Sequence, residues 1–321
     1  MTKLAAGLSS LVVAAGLAAV ATTPARGDSQ AMARLLGGDP CNHAAPRPSN
    51  PVAAPVRLGS FNIQAKQSVA DFSAGVHALL PYVDIAGLQE TNSKDKAQVL
   101  ADLAGSGWDF YRQYRDHIMS HPLQGGAEQQ PVLWRSDRFV CTYAGPALQS
   151  GVYRLNGEKP TYGEMRHYFT VVHLVDRVSG QRLAIINCHL VQGAVMAGAR
   201  VPGLPRHWHL YVTQLTKVVA AAERQQGFGT VFVLGDFNSG WLQDRAHRHK
   251  HLPIRSFGAI GFRSMWATEN PGKGRGSREG GLIDQVWAAH KARSAKVLFA
   301  LNEYSDHKPV VARYHLGPAS Y

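Results

Sequence analysis

The stretch VFVLGDFNSG at residues 231–240 decides the fold class, because an apolar run there ends abruptly in glycine, aspartate and asparagine. A short apolar run bounded by turn-forming residues is typical of a buried β-strand that ends in a tight turn. Under the simpler interpretation, Asp236 and Asn238 only form that turn. Under the alternative, the strand ends here so that the carboxylate and the amide face a phosphate group and a metal ion.

Polar residues of the same chemical kind lie at the ends of several other apolar strands. A single Asn, Asp or His in such a place is usually a turn residue or a satisfied side chain. The set contains no cysteine or serine nucleophile, and its oxygen donors suit Mg²⁺, Mn²⁺ or Ca²⁺ better than a thiolate-bound metal. The residues are Asn62 in SFNIQ, Glu90 in GLQET, Asn187 and His189 in NCHL, Asp236 and Asn238 in GDFN, Asp284 in LIDQVW, and Asp306 and His307 in YSDHKPVV.

The rest of the chain indicates one mixed α/β domain over residues 56–316. Short apolar strands outnumber helices and often follow one another directly, which does not fit a simple alternating Rossmann pattern. Two strands form a long hairpin around Ser179 and Gly180, and the segment AKVLFAL at 295–301 is a further predicted strand. The segment at 207–226 is the longest predicted helix. Its predicted buried face consists of Trp208, Val212, Leu215, Val219 and Ala222.

The first residues are typical of a secretory signal peptide. Lys3 precedes an apolar stretch that ends at small residues, so residues 1–21 are the predicted signal, and we expect a secreted protein. Cleavage after Ala21 is expected, with cleavage after Ala25 as the alternative. A membrane anchor is the weaker interpretation, because the run is barely long enough to cross a bilayer. The remaining segments are a flexible Pro- and Ala-rich stretch at 22–55 and a C-terminal tail at 317–321.

The three cysteines are too few for a disulfide-stapled scaffold, so an apolar core must provide most of the stability. Cys188 lies in the apolar strand RLAIINCHL and is predicted to be a buried thiol. Cys41 and Cys141 are a candidate disulfide.

The chain is basic, with 34 Lys and Arg against 22 Asp and Glu and a formal net charge of +12. Such a charge favours anionic partners, among them nucleic acid, anionic lipid headgroups and phosphate esters. Two basic loops, DRAHRHKHLPIR at 244–255 and PGKGRGSREGG at 271–281, lie next to the polar motifs. They are either contacts for a nucleic-acid backbone or solvated loops, and both interpretations stay open. A zinc site at His247, His249 and His251 is the weaker interpretation of the first loop.

The ordered set of motifs from SFNIQ to SDH resembles the endonuclease/exonuclease/phosphatase superfamily, whose fold is also called deoxyribonuclease-I-like. The resemblance covers about residues 56–316 and rests on the order of six short motifs, each of which is weak alone. It implies an α/β (α+β) fold, a four-layer sandwich of two packed mixed β-sheets flanked by helices, with the active site where the strand ends meet.

The resemblance also implies roles for the metal-binding part of the site. Glu90 matches the family's principal metal carboxylate, with Asn62 and Asp306 as nearby direct or water-mediated ligands of Mg²⁺ (or Mn²⁺ or Ca²⁺). Asp236 and Asn238 match residues that orient the attacking water and bind the phosphate.

The remaining matched residues are expected to handle protons. His307 matches the family's acid/base histidine, and Asp284 the carboxylate that fixes its tautomer. His189 matches the residue that hydrogen-bonds the phosphate or protonates the leaving group. Glu164 in YGEMRHY is a candidate partner of His189, and a surface strand residue is an equally good interpretation.

These expectations lead to a secreted, metal-dependent phosphodiesterase, most simply an extracellular deoxyribonuclease that acts as a monomer on nucleic acid. The main alternative is a sphingomyelinase-like phospholipase, with an apolar hairpin near VPGLPRHWHL, or a phosphatase of phosphorylated small molecules. A non-catalytic binding or toxin component is the third hypothesis, and the retention of the whole residue set argues against it. No GxSxG motif of serine esterases occurs in the sequence.

Overall fold

The structure is a computed structural model that describes residues 41, 55–113, 129–152, 166–268, 276–279 and 281–316, all within one compact unit, Pro40–Tyr321. The strands are β1 (Pro55–Asn62), β2 (Ile85–Gln89), β3 (Trp108–Tyr111), β4 (Val132–Arg135), β5 (Phe139–Ser150), β6 (His167–Asp176), β7 (Arg182–His189), β8 (Val195–Met196), β9 (Ala199–Arg200), β10 (Thr230–Asp236), β11 (Arg263–Ser264), β12 (Asp284–Ala288), β13 (Ser294–Val297) and β14 (Val310–His315). The helices are α1 (Val69–Leu79), α2 (Lys94–Leu103), α3 (Pro205–Gln225), α4 (Trp241–His247) and α5 (Pro253–Gly258), with 3₁₀ turns at Leu80–Tyr82, Met265–Ala267 and Phe299–Leu301.

Two six-stranded mixed sheets form the centre of the molecule. The first sheet has the order β13-β14-β1-β2-β4-β3, the second has the order β11-β12-β10-β7-β6-β5, and β8 and β9 form a separate small hairpin. Only the β1/β2 and β7/β10 pairs are parallel, and the other pairs within the two sheets are antiparallel. The sequence prediction of two mixed sheets flanked by helices is therefore confirmed, and so is the long hairpin of β6 and β7.

The two sheets pack face to face through their central strands. β1 and β2 of the first sheet contact β7, β10 and β12 of the second. Phe232 on β10 and Tyr314 on β14 meet edge-to-face with ring centroids 4.9 Å apart. Every residue of β2 is buried, because a central strand that is covered on both faces needs apolar or satisfied side chains on both. This sandwich supplies most of the buried apolar core.

The longest predicted helix is present as α3, and its predicted buried face is confirmed only in part: Leu215 and Ala222 are buried, but the buried face is shifted from the predicted one. Trp208, Val212 and Val219 are only half-buried. Gln214 is buried because its Oε1 accepts a hydrogen bond from the Val191 N–H at 2.8 Å. A satisfied polar side chain thus faces the core, which a count of apolar residues alone cannot show. The buried residues are His207, Leu210, Tyr211, Gln214, Leu215, Val218, Ala221 and Ala222.

The segment AKVLFAL was wrongly predicted to be one strand throughout. Only its first part belongs to β13, and Phe299–Leu301 forms a 3₁₀ turn. The Leu298 N–H donates to the Pro309 carbonyl at 2.8 Å, and Leu301 is buried against the α1 side of the first sheet. This turn allows the Leu301 side chain to be buried over the outer face of the sheet.

The candidate disulfide is present, and it joins Cys41 to Cys141 on β5. Cys188 is a free, fully buried cysteine, and burial raises the pKa of its thiol, as does the nearby Asp236 carboxylate. The predicted signal peptide, nearly all of the 22–55 segment and the C-terminal tail lie outside the described residues. Among the helices that the structure describes, none is long and apolar enough to cross a membrane.

Candidate active site

The polar strand ends meet at one edge of the sandwich because the strand registers bring them together. Asn62 pairs in register with Gln89 across the parallel β1/β2 ladder, which places Glu90 directly beyond it. In the second sheet Asp236 lies opposite His189 on one side and opposite Asp284 on the other. We call this group the strand-end site; its members are Asn62, Glu90, His189, Asp236, Asn238, Asp284 and His307.

Asn62 links the two sheets at this site. Its Nδ2 donates to Glu90 Oε1 at 3.0 Å and to Asp236 Oδ2 at 3.1 Å. Glu90 has a φ of +63°, a left-handed conformation that costs a non-glycine residue about 1 kcal/mol. That conformation turns the carboxylate back toward the β1 end, where Oε2 accepts the Ala65 N–H at 2.7 Å. The backbone is therefore strained at the residue that matches the metal carboxylate.

The environment of Glu90 favours its ionised form. Burial alone would raise the pKa of Glu90, but the charge of His189 and the hydrogen bonds from Ala65 and Asn62 lower it overall. The buried Lys96 on α2 supports the same loop, with Nζ donating to the Ala65 carbonyl at 2.8 Å. Burial lowers the pKa of Lys96, and the nearby Glu90 opposes that shift. Sequence analysis missed Lys96, since a lysine in a charged helix gives no signal of burial.

The GDFN turn fulfils the simpler interpretation of its sequence, and the facing of a phosphate and a metal ion stays a prediction. Asp236 Oδ1 accepts the Asn238 N–H at 2.8 Å and closes the turn. Its Oδ2 lies 3.5 Å from His189 Nε2 and 3.7 Å from His307 Nε2. Burial raises the pKa of Asp236, and the nearby Asp284 carboxylate raises it further. The two nearby histidines lower this pKa and offset part of the rise. Gly235 is required by close packing, because a Cβ there would lie 2.1 Å from the Cys188 carbonyl oxygen.

Asn238 holds His189 in place. It adopts a φ of +45°, and its Nδ2 donates to the Leu190 carbonyl at 2.8 Å while lying 3.2 Å from His189 Nε2. The predicted partner Glu164 lies outside the described residues, so its role stays a prediction. His167 lies near His189, and burial followed by the charge of His189 lowers the pKa of His167 to about 4.

His307 and Asp284 form a buried pair, with Nδ1 and Oδ2 2.9 Å apart. Burial lowers the pKa of His307, but the carboxylates of Asp284 and Asp236 outweigh it and raise the pKa to about 9. The imidazole therefore holds a proton at neutral pH and points its Nε2 toward Asp236. Asp284 Oδ1 is buried and has no hydrogen-bond partner within the described part of the chain. The structure thus brings together the two residues that the sequence motifs predict to be an acid/base pair, and that role stays a prediction.

Asp306 occupies the rim of the site rather than its centre. Its Oδ2 pairs with Arg278 Nη2 at 3.0 Å, and its side chain is 37% exposed. The neighbouring Ser305 Oγ donates to the Asn62 carbonyl at 2.8 Å, which ties the SDH loop to the end of β1. Whether Asp306 is a metal ligand stays a prediction. Arg278 was not singled out from the sequence, although it lies in the basic loop that precedes Asp284.

Asn187 is close in sequence to His189 but has a structural role. Its Nδ2 donates to the Leu88 and Pro131 carbonyls at 2.7 and 2.8 Å, and its Oδ1 accepts from Gln89 Nε2 at 2.6 Å. Gln89 in turn bonds to Ser60 Oγ. We call Ser60, Gln89 and Asn187 the amide seam, which joins the two sheets beneath the strand-end site.

The structure does not support zinc binding by the three alternating histidines. The rings of His249 and His251 pack near Trp208, with centroids 5.1 and 6.4 Å from its ring. Within the described ranges, one cluster of three acidic or histidine side chains, Asp236, Asp284 and His307, has its ligand atoms within 4.8 Å of one another, and it lies in the strand-end site.

The oxygen donors of the strand-end site fit a divalent cation. Glu90 and Asp236 converge on the same amide nitrogen of Asn62, and Asp284 has a buried oxygen without a partner among the described residues. His307 holds a proton through Asp284, so it is better suited to proton transfer than to ligation. Glu90 is thus the residue that would hold the ion, as a hard carboxylate ligand of Mg²⁺ or Mn²⁺, and Asp236 beside it is left to act on water.

Two mixed sheets with carboxylates, an amide and a histidine at their shared edge are the arrangement expected of a metal-assisted hydrolase of phosphoester bonds. The chain belongs to the Endonuclease/Exonuclease/phosphatase family, whose model matches residues 59–307. This finding confirms the resemblance seen in the sequence motifs. No match is found among curated proteins.

Solved structures share the fold at low sequence identity. A family protein from Bacteroides thetaiotaomicron has a TM-score of 0.57 and 14% identity, covering 83% of this chain and 99% of that one. TDP2 from D. rerio in complex with a single-strand DNA product has a TM-score of 0.54 and 13% identity, covering 81% and 98%. A mannosyl-6-phosphatase from Bacteroides thetaiotaomicron has a TM-score of 0.54 and 14% identity, covering 81% and 99%. At these identities the likeness extends to the fold alone.

Proposed function

We propose that the protein is a secreted, divalent-metal-dependent phosphodiesterase that cleaves nucleic acid, most simply as an extracellular deoxyribonuclease. One observation supports this more than any other. Asn62 joins the carboxylates of Glu90 and Asp236, and the His307–Asp284 pair points at that junction from 3.7 Å. An ionised carboxylate, a carboxylate with a raised pKa and a held proton are the groups that hydrolysis of a phosphodiester requires.

In the proposed reaction, Glu90 would hold a divalent cation, which would supply charge neutralisation for the phosphoryl oxygens and the leaving oxygen. Asp236 accepts a proton from water as the water oxygen bonds to phosphorus, and burial, which raises its pKa, makes its carboxylate a stronger base. The bond from phosphorus to the leaving oxygen breaks, and that oxygen takes a proton from His189 or His307. Asn238 orients His189 beside the phosphate, and Asp284 keeps the proton of His307 on the ring.

Nucleic acid is the substrate class that the charge of the chain favours. A net charge of +12 attracts a polyanion, and a phosphodiester backbone supplies both the charge and the scissile bond. The TDP2 structure with its single-strand DNA product shows that this fold accommodates such a strand in that protein.

A phosphorylated small molecule is the second candidate substrate. Arg278 lies at the rim of the site in an ion pair with Asp306, where a guanidinium can bind a terminal phosphate. One protein with the same fold is a mannosyl-6-phosphatase. The lipid alternative has less support, because VPGLPRHWHL runs mostly into α3 and the nearby β8–β9 hairpin exposes one large apolar side chain, Met196.

Secretion is part of the proposal, and the Cys41–Cys141 disulfide supports it. Disulfides form and persist in oxidising compartments outside the cytosol, and they are rare within it. The protein is also proposed to act as a monomer.

The proposal is tested by offering plasmid DNA, RNA, sphingomyelin and a sugar phosphate to the purified mature protein with Mg²⁺, Mn²⁺ or chelator. Nicking of DNA that stops with chelator is the expected result. Release of phosphate from the sugar ester without any cleavage of DNA or RNA would replace nucleic acid by the small-molecule substrate. Headgroup release from sphingomyelin alone would move the substrate to membranes.

A further inference from the structure

A cleft lies on the outer side of the second sheet, where it is bounded by α4, α5 and β11. The cleft has a volume of about 530 Å³. Three arginines lie around it, Arg245 and Arg248 from the α4 region and Arg263 from β11, and all three are exposed. Its floor includes Trp241 and Trp287, whose side chains are buried. The charged groups of the cleft are therefore all cationic, and they surround a lining that is otherwise largely apolar.

Across the described ranges, none of the three arginines forms an ion pair with a carboxylate. The nearest acidic residue in sequence, Asp244, is buried and directs Oδ2 to the Ile254 N–H at 2.8 Å. Arg245 is held in place over the Trp241 ring, 5.2 Å from its centroid. Guanidinium groups held together without carboxylates are suited to bind phosphate oxygens.

The cleft lies within reach of a strand bound at the strand-end site. Trp287 follows Asp284 by three positions on β12, so it is about 10 Å away along the strand and on the opposite face of the sheet. Trp241 begins the helix that follows the GDFN turn, and its N–H donates to the Leu282 carbonyl at 3.1 Å. A nucleic-acid strand advances about 3.4 Å per nucleotide along its axis, so the two sites are separated by at least about three nucleotides.

We infer that the cleft is a second phosphate-binding site, which holds the backbone of the substrate nucleic acid at least about three nucleotides from the bond that is cleaved. This inference rests on the proposed action on nucleic acid. The buried tryptophans leave little ring surface for base stacking, so the contact is with phosphates and does not depend on base sequence. The cleft contributes affinity for long substrates and leaves the chemical step unchanged.

The first test compares two double variants of equal charge change. Arg245→Glu with Arg263→Glu alters the cleft, and Arg293→Glu with Arg313→Glu alters exposed arginines of the first sheet. Binding of a fluorescein-labelled DNA oligonucleotide is measured by anisotropy in chelator over a series of NaCl concentrations. The cleft variant should bind the DNA at least about tenfold more weakly than the wild type. The slope of its log Kd plotted against the logarithm of the NaCl concentration should fall by about 2. The first-sheet variant should stay close to wild type.

Hydrolysis of bis(p-nitrophenyl) phosphate with Mg²⁺ provides the control for the chemical step. This small diester cannot reach the cleft, so its kcat/KM should be unchanged in both double variants. If the cleft variant loses this activity as well, the single variant Gly258→Glu is tested in its place. A Cβ at Gly258 meets no atom within 4 Å, so the new carboxylate enters the cleft without a clash and should weaken DNA binding in the same way.

The outcomes separate the inference from the proposed function. Equal weakening by the cleft and first-sheet variants would overturn the inference, since only net charge would matter. Wild-type affinity in the cleft variants, with DNA still cut, would overturn the inference and leave the proposed function intact. A wild-type protein that hydrolyses the small diester but neither binds nor cuts DNA would overturn both.

Discussion

The strand-end site and the amide seam are two polar clusters between the same two sheets, and they differ in how their hydrogen bonds close. In the amide seam every side chain is neutral, and Asn187 and Gln89 satisfy each other and the backbone around them. In the strand-end site, Asp284 has a buried oxygen with no partner among the described residues, and Glu90 and Asn238 have positive φ. The closed cluster holds the sheets together, whereas the open and strained cluster is prepared for a ligand.

The largest expected effect is the loss of turnover when Glu90 is replaced by glutamine. Glu90→Gln keeps the shape and one acceptor oxygen, enough for one of the Ala65 and Asn62 donors, but removes the charge that holds the metal. Metal-dependent hydrolysis should fall to the rate seen with chelator, and calorimetric titration with Mn²⁺ should lose its tight phase. The melting temperature should change little. Turnover that persists at saturating Mg²⁺ would remove Glu90 from the metal site.

The next effect concerns the acid/base pair. His307→Ala and Asp284→Ala should each lower kcat by about 10²–10⁴-fold, the range for a positioned proton donor or acceptor. Near-UV circular dichroism serves as the check on folding. The kcat of the double variant should be no lower than that of the less active single variant. If Asp284→Ala only unfolds the protein, its role is structural and the comparison with the amide seam fails.

The amide seam should respond in the opposite way. Asn187→Ala leaves the Gln89 amide and the Leu88 carbonyl without this partner, so the free energy of unfolding should fall by about 2–3 kcal/mol in urea titration. The kcat of the folded protein should be nearly unchanged.

A double-mutant cycle sharpens this prediction. A Cβ at Gly87 would lie 2.6 Å from Asn187 Oδ1, so Gly87→Ala should destabilise the wild type. The same change should cost less in the Asn187→Ala background, because the clashing amide is gone. Additive losses would show that the two residues do not contact each other as described.

The smallest effect comes from a buried carboxylate outside both clusters. Burial raises the pKa of Asp244 to about 6, although the hydrogen bond that it accepts from the Ile254 N–H lowers this pKa. The folded state therefore binds this proton more tightly than the unfolded state, so stability is greatest below the unfolded pKa and falls as pH rises toward about 6. Relative to Asp244→Asn, the wild type should lose about 2 kcal/mol across this window, measured as the difference between two urea-derived stability curves.

The difference between these curves isolates Asp244 from other titrating groups. His167, with its pKa lowered to about 4, destabilises the folded state as pH falls and acts equally in both proteins. Parallel curves for wild type and variant would show that Asp244 has an ordinary pKa.

The fold class and most of the strand-end site could be predicted from the sequence, because strand ends with short polar motifs are local features. Asn62 and Asn187 look alike in the sequence, and only the pairing of the two sheets makes one a bridge between carboxylates and the other a seam residue. The phase of α3 depends on Gln214, whose partner is a backbone N–H 23 positions away. Lys96 and Arg278 acquire their roles from loops that approach in three dimensions.

The most direct test of the account compares nicking of supercoiled plasmid by wild type, His307→Ala and Asn187→Ala at equal concentrations of folded protein, with Mg²⁺ and with chelator. We expect nicking that requires Mg²⁺. The nicking rate should stay near the wild-type rate for Asn187→Ala and should fall by about 10²-fold or more for His307→Ala. Metal-independent nicking, or equal rates for His307→Ala and wild type, would contradict the assignment of the chemistry to the strand-end site.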